Sequence, residues 1–438
     1  MAFFWSYQVI KIARLTRLFD EGKFLEIIEI AEPNKNFKYK FSQLKLISAA
    51  YLKLENFEDA YKCLEKCHKL RPTDLSVINN FSHCLTKLGQ HEIAWKMWKN
   101  YSPGKGDAKY LINYGIAALE IGKLKEAILA FSRYSIKFPS LNTHQDFLAQ
   151  LWLQSPNLFT EESVASWQST KAFREMKSIP TKVIQLIHFF CIGDARTCKE
   201  ILEILNRPEA KINYKKLNDS EKLFVKAYTN LIIKLKVKNS IPMKKLTHIG
   251  ESHCLSFTNQ LITINESNYQ ITPRPIFGAK AFHIGSNRKN KYQAYFENHI
   301  STSESQFVIL SFGEIDCREN EGILKATNSG GALDLAEKTS AAYIREAVRI
   351  CGKHGKSPIF CTVPSPIKQE KEQLNEFELR QKIIERFNDC IIRGKDSFRY
   401  LILDIFKDFR ESSISYDGRY HIDNRHLGRD ALRKATMR

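Results

Sequence analysis

Two segments in the second half of the chain contain residue types that together could cleave or transfer an ester. Ser252 lies in the sequence Gly-Glu-Ser-His, and Asp423 and His426 form an Asp-x-x-His pair near the C-terminus. A carboxylate three residues before a histidine can bind one imidazole nitrogen and leave the other to accept a proton from a serine. These residues therefore predict Ser252 as a nucleophile with His426 as its base. Each segment alone also fits an ordinary helix N-cap.

Two glycine-containing segments between them could stabilise the oxyanion of such a reaction. Gly278 lies in a loop, where its backbone N–H could donate to the oxyanion together with the N–H of the serine. Gly313 opens the polar sequence Gly-Glu-Ile-Asp-Cys-Arg, directly after the apolar run 307–312. We expect Gly313, Asp316 and Arg318 to line the oxyanion or substrate side of the same crevice. The alternative for the last two is a local ion pair.

Three further polar residues are candidates for substrate contact. They are His253 beside the serine, Glu314 in the polar sequence, and His283 after the Gly278 loop. A surface position at the start of a helix is an equally open interpretation for His253. The chain shows no His, Cys and acidic cluster with metal-ligand spacing, and Ser-His-Asp chemistry needs no metal. The sequence therefore predicts no metal and no other cofactor.

The segments lie in a part of the chain where strand and helix patterns alternate, after Pro242. Predicted strands are 246–249, 269–271, 307–312, 359–363 and 400–404. Predicted helices are 255–262, 291–297, 333–354, 373–393 and a last one from Leu427. This alternation is typical of a parallel sheet with helices on both faces, in which ligands bind at the carboxyl ends of the strands. Most candidate residues fall at or just after such an end.

In chain order, the segments at Ser252, Gly278, Gly313 and Asp423–His426 resemble the four blocks of the SGNH, or GDSL-like, hydrolases. The resemblance implies a flavodoxin-like three-layer α/β/α domain that hydrolyses or transfers esters, often acetyl groups on glycans. It implies Ser252 as nucleophile, His426 as general base and Asp423 as the residue that orients it. An acylated carbohydrate, including an anionic glycan, is the substrate class that the resemblance favours.

The resemblance covers about residues 244–438 and departs from the family at one position. The third block of the family reads Gly-x-Asn-Asp, and Ile315 stands here in place of the asparagine that donates to the oxyanion. Loss of one such donor typically costs about 10²–10³ in rate. Either Arg318 replaces the donor, or the domain is a degenerate, non-catalytic interaction module.

The first half of the chain carries a helical repeat. Aligned segments start at Gly22, Glu55, Gly89 and Gly122, which are 33, 34 and 33 residues apart. This spacing is close to the 34-residue period of helix-turn-helix repeats. Glycine at the start supplies a left-handed turn, and a small residue five positions later lets the two helices approach closely.

These segments resemble tetratricopeptide repeats over about residues 8–141, with departures at Glu55, in place of the turn glycine, and at Ile27, in place of the small residue. The resemblance implies a concave face that binds a peptide or partner protein. The alternative is an array that only packs on the second domain. The sequence thus predicts repeats in 1–141, an irregular helical extension or linker in 142–243 that continues the superhelix, and an SGNH-like domain in 244–438.

Composition limits the class of protein and its partners. The chain of 438 residues is 43% hydrophobic and 26% charged, which excludes collagen-like and wholly disordered chains. Its net charge of +19 divides into about +13 before Lys244 and about +6 from there on. A polyanion-binding protein is therefore a further alternative, although no nucleic-acid-binding motif accompanies the charge.

Membrane and redox signals are also informative. No apolar run approaches the roughly 20 residues of a membrane-spanning helix, and the apolar but basic N-terminus lacks a signal-peptide pattern. Ten cysteines are scattered without a CxxC pair. They predict buried free thiols and a cytoplasmic protein.

Overall fold

The computed structural model describes ten ranges and four single positions of the chain. They are 12–31, 39–101, 107–138, 145–163, 179–206, 222, 225, 229, 231, 243–327, 331–368, 372–405, 427–434 and 436–437. The chain forms two compact units, Met1–Phe138 and Pro139–Arg438. The division falls close to the predicted end of the repeats. The predicted final helix near Leu427 is a 3₁₀ helix, Arg429–Lys434.

The first unit consists of helices in consecutive pairs. They are α1 (12–20), α2 (Phe24–Ala31), α3 (Phe41–Lys53), α4 (Phe57–Leu70), α5 (Leu75–Lys87), α6 (His91–Asn100), α7 (Ala108–Glu120) and α8 (Leu124–Lys137). From α2 onward each helix packs on the next. The small repeat residues Ala60, Ala94 and Ala127 are fully buried, and so is Ile27 in the first pair.

The turn within each helix pair has the same backbone geometry in all four repeats. Its first residue has a positive φ: 74° at Gly22, 57° at Glu55, 70° at Gly89 and 75° at Gly122. The N–H of the following residue donates to the carbonyl five positions back, as from Asn56 to Tyr51 at 3.0 Å. Left-handed backbone favours glycine, so Glu55 adopts the repeat geometry despite its side chain.

The second unit contains a seven-stranded sheet. The strands are β1 (Lys244–Gly250), β2 (Leu261–Ile264), β3 (Ser267–Pro275), β4 (Phe307–Ser311), β5 (Ser357–Cys361), β6 (Leu401–Asp404) and β7 (Thr436–Met437), in the order β2-β3-β1-β4-β5-β6-β7. The five central strands are parallel, and the two edge strands pair antiparallel. A largely parallel α/β domain is confirmed. The helix predicted at 255–262 is instead the 3₁₀ helix Ser252–Phe257 followed by β2.

Eight α-helices with described bounds accompany this sheet, and the single positions 222, 225, 229 and 231 are also helical. The eight helices are α9 (Gln145–Gln154), α10 (Ile179–Ile192), α11 (Ala195–Leu205), α12 (Ala281–Gly285), α13 (Lys291–Ser301), α14 (Ile323–Ala326), α15 (Ala332–Lys353) and α16 (Leu374–Phe398). Within the described ranges, no helix is long and apolar enough to cross a membrane. Central-strand residues Ile309, Ile359 and Leu403 lie in one apolar cluster, as buried parallel strands require.

Helices α9 to α11 come from the segment 142–243, which we expected to continue the superhelix, and they pack within the second unit. Leu186 and Cys198 share an apolar cluster with Cys254 and Leu255, next to the candidate serine. The Gln154 side chain donates to the carbonyl of Pro275, at the end of β3, at 2.7 Å. This segment therefore covers one side of the α/β domain.

Candidate active site

Ser252 begins a 3₁₀ helix directly after β1, at the carboxyl end of the parallel strands. A side chain at Gly250 would lie 2.0 Å from the Ser311 hydroxyl oxygen and 2.5 Å from the Ser311 carbonyl. Only glycine therefore lets β1 and β4 approach this closely before the turn into the helix. Ser252 is 8% exposed. The sequence-based position of the serine at a strand-to-helix turn agrees with this geometry.

The backbone N–H groups of Ser252 and Gly278 are the candidate oxyanion donors. Among the residues that the structure describes, neither N–H has a hydrogen-bond acceptor. Gly278 has a φ of 71° in a turn closed by a bond from the Ala279 N–H to the Ile276 carbonyl at 3.1 Å. The Ile276 N–H donates to the Gly250 carbonyl at 2.8 Å, which joins this turn to the end of β1. The turn at Gly278 and the turn from Gly250 to Ser252 are thus both attached to the end of β1.

The loop after β4 is held by a carboxylate that sequence reasoning did not single out. The Glu251 Oε1 accepts from the Gly313 N–H at 2.8 Å, and its Oε2 accepts from the Ile315 N–H at 3.2 Å. Glu251 is 1% exposed. Burial, together with the carboxylates of Glu314 and Asp316, raises the pKa of Glu251 well above its ordinary value. Its position between the glycine and the serine was the available signal.

Asp316 binds a different element. Its two oxygens accept from the N–H groups of Ala281 at 2.7 Å and Phe282 at 3.1 Å, the first two residues of α12. Burial raises the pKa of Asp316 to about 6, although both hydrogen bonds act in the opposite direction. Asp316 therefore fixes the helix that follows the Gly278 turn.

Arg318 is paired within its own loop. Its guanidinium contacts Glu314 through Nη2 at 2.6 Å and Glu321 through Nη1 at 3.3 Å, rather than forming the ion pair with Asp316 that the sequence left open. Glu314 holds two guanidinium nitrogens at once. The carboxylates raise the pKa of Arg318 further, against the effect of burial. Its charge is thus committed to neighbouring carboxylates.

The histidines of the region differ in their surroundings. The His283 Nδ1 accepts from the Lys280 N–H at 3.0 Å, and its ring stacks on Tyr292 at 4.3 Å. Burial, with the charges of Lys280 and Lys291, lowers the pKa of His283 to about 4. His283 is therefore a neutral residue that caps α12 in this structure.

One buried histidine was missed by the sequence analysis. The His248 Nε2 lies 2.8 Å from the Ser311 hydroxyl, and its ring stacks on Phe257. Burial lowers the pKa of His248 to about 3, so its imidazole is neutral. Its place inside the apolar run of β1 was the signal.

A small cavity of about 20 Å³ opens at the carboxyl ends of β1, β4, β5 and β6. This volume holds about one water molecule. His248, Glu251 and His253 line one side, and Ile405 and Leu427 line another. The last two residues flank the segment that contains Asp423 and His426, both of which lie outside the described residues.

Three residues at this cavity could offer ligands to a metal ion. Ligand atoms of Glu251, His253 and Glu314 lie within 4.8 Å of one another. The Glu251 oxygens already accept from backbone N–H groups, and Glu314 binds the Arg318 guanidinium. The carboxylates are thus engaged with protein donors.

All ten cysteines are free thiols, and nine of them are buried. The prediction of buried free thiols is confirmed. Burial raises the pKa of Cys254 and Cys317, which follow candidate site residues, well above the ordinary value of a thiol. Neither thiol is suited to act as a thiolate nucleophile.

Comparison with known proteins bears on the repeats. The chain is 31% identical over 87 residues to the tetratricopeptide repeat-containing protein trd-1 of Caenorhabditis elegans. The match covers 18% of this chain and 11% of that protein, so the chain spans a small part of this relative. No family model matches the sequence. The four similar turns of the N-terminal helix pairs and this match fit an array of tetratricopeptide-like repeats.

Proposed function

We propose that the second unit is a serine ester hydrolase or acyltransferase of the SGNH type. In this proposal the Ser252 hydroxyl attacks the ester carbonyl, His426 takes its proton, and Asp423 orients the imidazole. The alcohol leaves with a proton from the imidazolium. Water or an acceptor hydroxyl then releases the acyl group from Ser252.

The observation that carries the proposal is the anchoring of Leu427, the residue after His426. The Ser256 hydroxyl donates to the Leu427 carbonyl at 2.6 Å. Ser256 lies on the 3₁₀ helix that Ser252 begins, about 8 Å further along its axis. Two more bonds, from Arg429 to the Thr258 carbonyl and from Gln260 to the Arg429 carbonyl, fasten the same segment to the residues just after this helix. The backbone next to His426 is thus tied to the helix of the serine.

The strand order supports the flavodoxin-like fold that the proposal requires. The five parallel strands follow the order 2-1-3-4-5 of flavodoxin-like sheets, counted as β3, β1, β4, β5 and β6. In such sheets the ligand crevice lies where the strand order reverses, beside the first strand. Ser252 and Gly278 follow the two strands on one side of that point.

The Ser252 and Gly278 N–H groups, which have no acceptor among the described residues, support a two-donor oxyanion hole. Ile315 cannot contribute a side-chain donor, and Arg318 is held by Glu314. A missing donor costs about 10²–10³ in rate, so we expect slow turnover. An acylated carbohydrate remains the proposed substrate on family analogy alone, and the proposed location is cytoplasmic.

Labelling with a serine-directed fluorophosphonate tests the proposal. We expect one adduct at Ser252, hydrolysis of short-chain aryl esters by the wild type, and loss of both in Ser252→Ala. Ser256→Ala tests the anchoring bond. It keeps the nucleophile but removes the bond to Leu427, and it should slow labelling. Equal ester turnover by the wild type and Ser252→Ala would remove the nucleophile assignment.

For the first unit we propose binding of a protein or peptide on the concave face of the repeats. The repeat geometry of the turns and the similarity to a tetratricopeptide repeat protein support this role. Purified 1–138 should retain a binding partner that the remaining chain does not. Nothing in this role requires turnover by the second unit.

A second candidate is a non-catalytic interaction protein with a degenerate SGNH domain. Its specific support is the loop 313–318, where Ile315 replaces a donor and Arg318 is bound to two carboxylates. Absence of fluorophosphonate labelling in folded protein favours this candidate.

A further inference from the structure

We propose that Glu251 and Asp316 are positioning residues that join three chain segments and so hold the Ser252 and Gly278 N–H groups at a fixed separation. We call this arrangement the carboxylate link: Glu251, the loop 313–316, and Asp316 with the start of α12. Its geometry stands on its own, whereas its role in oxyanion binding rests on the proposed function.

The first half of the link connects the serine turn to the loop. Glu251 directly precedes Ser252, and each of its carboxyl oxygens accepts one backbone N–H from the loop. The Glu251 N–H in turn donates to the Ser311 carbonyl at 3.1 Å, at the end of β4. Three bonds on one residue therefore fix the backbone before the nucleophile against β4 and its loop.

The second half connects the loop to the Gly278 segment. Asp316 accepts from the N–H groups of Ala281 and Phe282, three and four residues after Gly278. These N–H groups belong to the free first turn of α12, which a carboxylate satisfies well. Because α12 has only five residues, a cap on two of its N–H groups governs where the segment lies.

The loop between the two carboxylates is closely packed. Gly313 has a φ of 122°, and a side chain there would lie 2.7 Å from the Phe387 ring. The loop continues as the 3₁₀ helix Ile315–Cys317, and a side chain at Gly322 would lie 2.3 Å from the Asp316 carbonyl oxygen. We therefore expect a displacement at Glu251 to be passed on to Asp316.

The link also accounts for Ile315. In the family pattern this position donates to the oxyanion through its side chain, whereas here its backbone N–H donates to Glu251 and its side chain is buried. The loop thus serves to hold two other donors in place. The other charged side chains that act on the two carboxylates are Glu314 and Arg318 at Glu251, and Lys280 at Asp316.

Hydrogen exchange in full-length protein tests the link without reference to activity. Glu251→Gln keeps size but places an amide N–H₂ against one backbone N–H. We expect at least about tenfold faster exchange of the amides at 281–285, although the described side-chain hydrogen bonds of Glu251 go to Gly313 and Ile315. Ala281→Pro removes one donor to Asp316 at a first helical position that suits proline, and should speed exchange of Gly313 and Ile315. Asp74→Asn, the same kind of change at the α5 cap of the first unit, should change neither region.

Fluorophosphonate labelling of Ser252 gives the second readout, at a pH above 7. Glu251→Gln and Asp316→Asn should each slow labelling about tenfold or more. The rate loss in the double variant should be much smaller than the product of the two single losses, because both substitutions break the same link. Ala281→Pro should slow it as well. If the wild type is not labelled, the proposed function fails while the exchange data still decide the link. Faster exchange confined to 313–315 in Glu251→Gln, or rate losses that multiply independently, would overturn it.

Discussion

Asp316 is a buried carboxylate whose hydrogen-bond partners are backbone N–H groups of a short helix. Such bonds favour the ionised form, yet burial is the larger effect and raises its pKa to about 6. A carboxylate kept in this environment costs stability near neutral pH. The bonds to α12 therefore come at a cost in stability, which agrees with a positioning role better than with a purely stabilising one.

The pKa of Asp316 predicts a pH dependence of stability. Its folded-state pKa of about 6 lies above the ordinary 3.8, so between these values the folded state binds more protons than the unfolded state. The free energy of unfolding contributed by Asp316 therefore falls as pH rises through this window, by about 2–3 kcal/mol. Asp316→Asn should flatten this decline. Urea unfolding of the second unit between pH 4 and 7 checks it, and an unchanged slope in the variant contradicts it.

Ile315 offers a gain-of-function prediction. If the second unit has the proposed activity, Ile315→Asn restores a side-chain donor and should raise the rate of aryl ester hydrolysis about tenfold or more. Ile315→Leu keeps the residue apolar and is the matched control. Equal rates in both variants, with the fold intact by circular dichroism, would mean that the side chain at this position does not face the oxyanion.

At the scale of elements, the repeat turn depends on a left-handed residue that is glycine in three units and glutamate in one. Glu55 has a φ of 57° and is exposed. Because the left-handed conformation is disfavoured for side chains, Glu55→Gly should raise the free energy of unfolding of the first unit by about 0.5–1 kcal/mol. Gly89→Ala should lower it by a similar amount. Chemical denaturation of residues 1–138 measures both, and a destabilised Glu55→Gly contradicts the argument.

The elements also show which features the sequence could predict. Each predicted strand corresponds to an observed one. The strongest signal is the continuous apolar run of a buried central strand, such as Phe307–Ser311. The edge strands Leu261–Ile264 and Thr436–Met437 were missed, since they are short and partly polar. The contact from Glu251 to Gly313 spans 62 residues, and no local pattern encodes such a pairing.

A fifth repeat-like turn was missed for a different reason. Gly193 has a φ of 81°, and the Asp194 N–H donates to the Phe189 carbonyl at 2.9 Å, as in the four repeats. The small residue five positions later is Cys198, which is fully buried. A search for alanine at a constant 34-residue spacing does not find this turn. It joins α10 to α11, which pack against the α/β domain.

At the scale of the whole molecule, the chain has two compact units with their boundary at Phe138. The sequence-based boundary at 244 marks where strands begin but not where the second unit begins. Helices α9 to α11 bury Cys254 and Leu255 beside the candidate serine, and Gln154 donates to Pro275. The segment that shows no regular repeat spacing is therefore part of the core that supports the site.

This packing predicts how truncated chains behave. Residues 139–438 should fold cooperatively, whereas residues 244–438 should be insoluble or lack a cooperative transition. Removal of α9 to α11 takes away Leu186 and its neighbours and so exposes Cys254 and Leu255, which they cover. Thermal unfolding and size-exclusion chromatography of the two fragments, with 1–138 as a third sample, provide the measurement. Leu186→Ala in full-length protein is the milder test. Replacement of a fully buried leucine by alanine lowers the free energy of unfolding by about 2–5 kcal/mol. If 244–438 folds as stably as 139–438, the helices are only a linker, and their contacts next to Ser252 do not support the site.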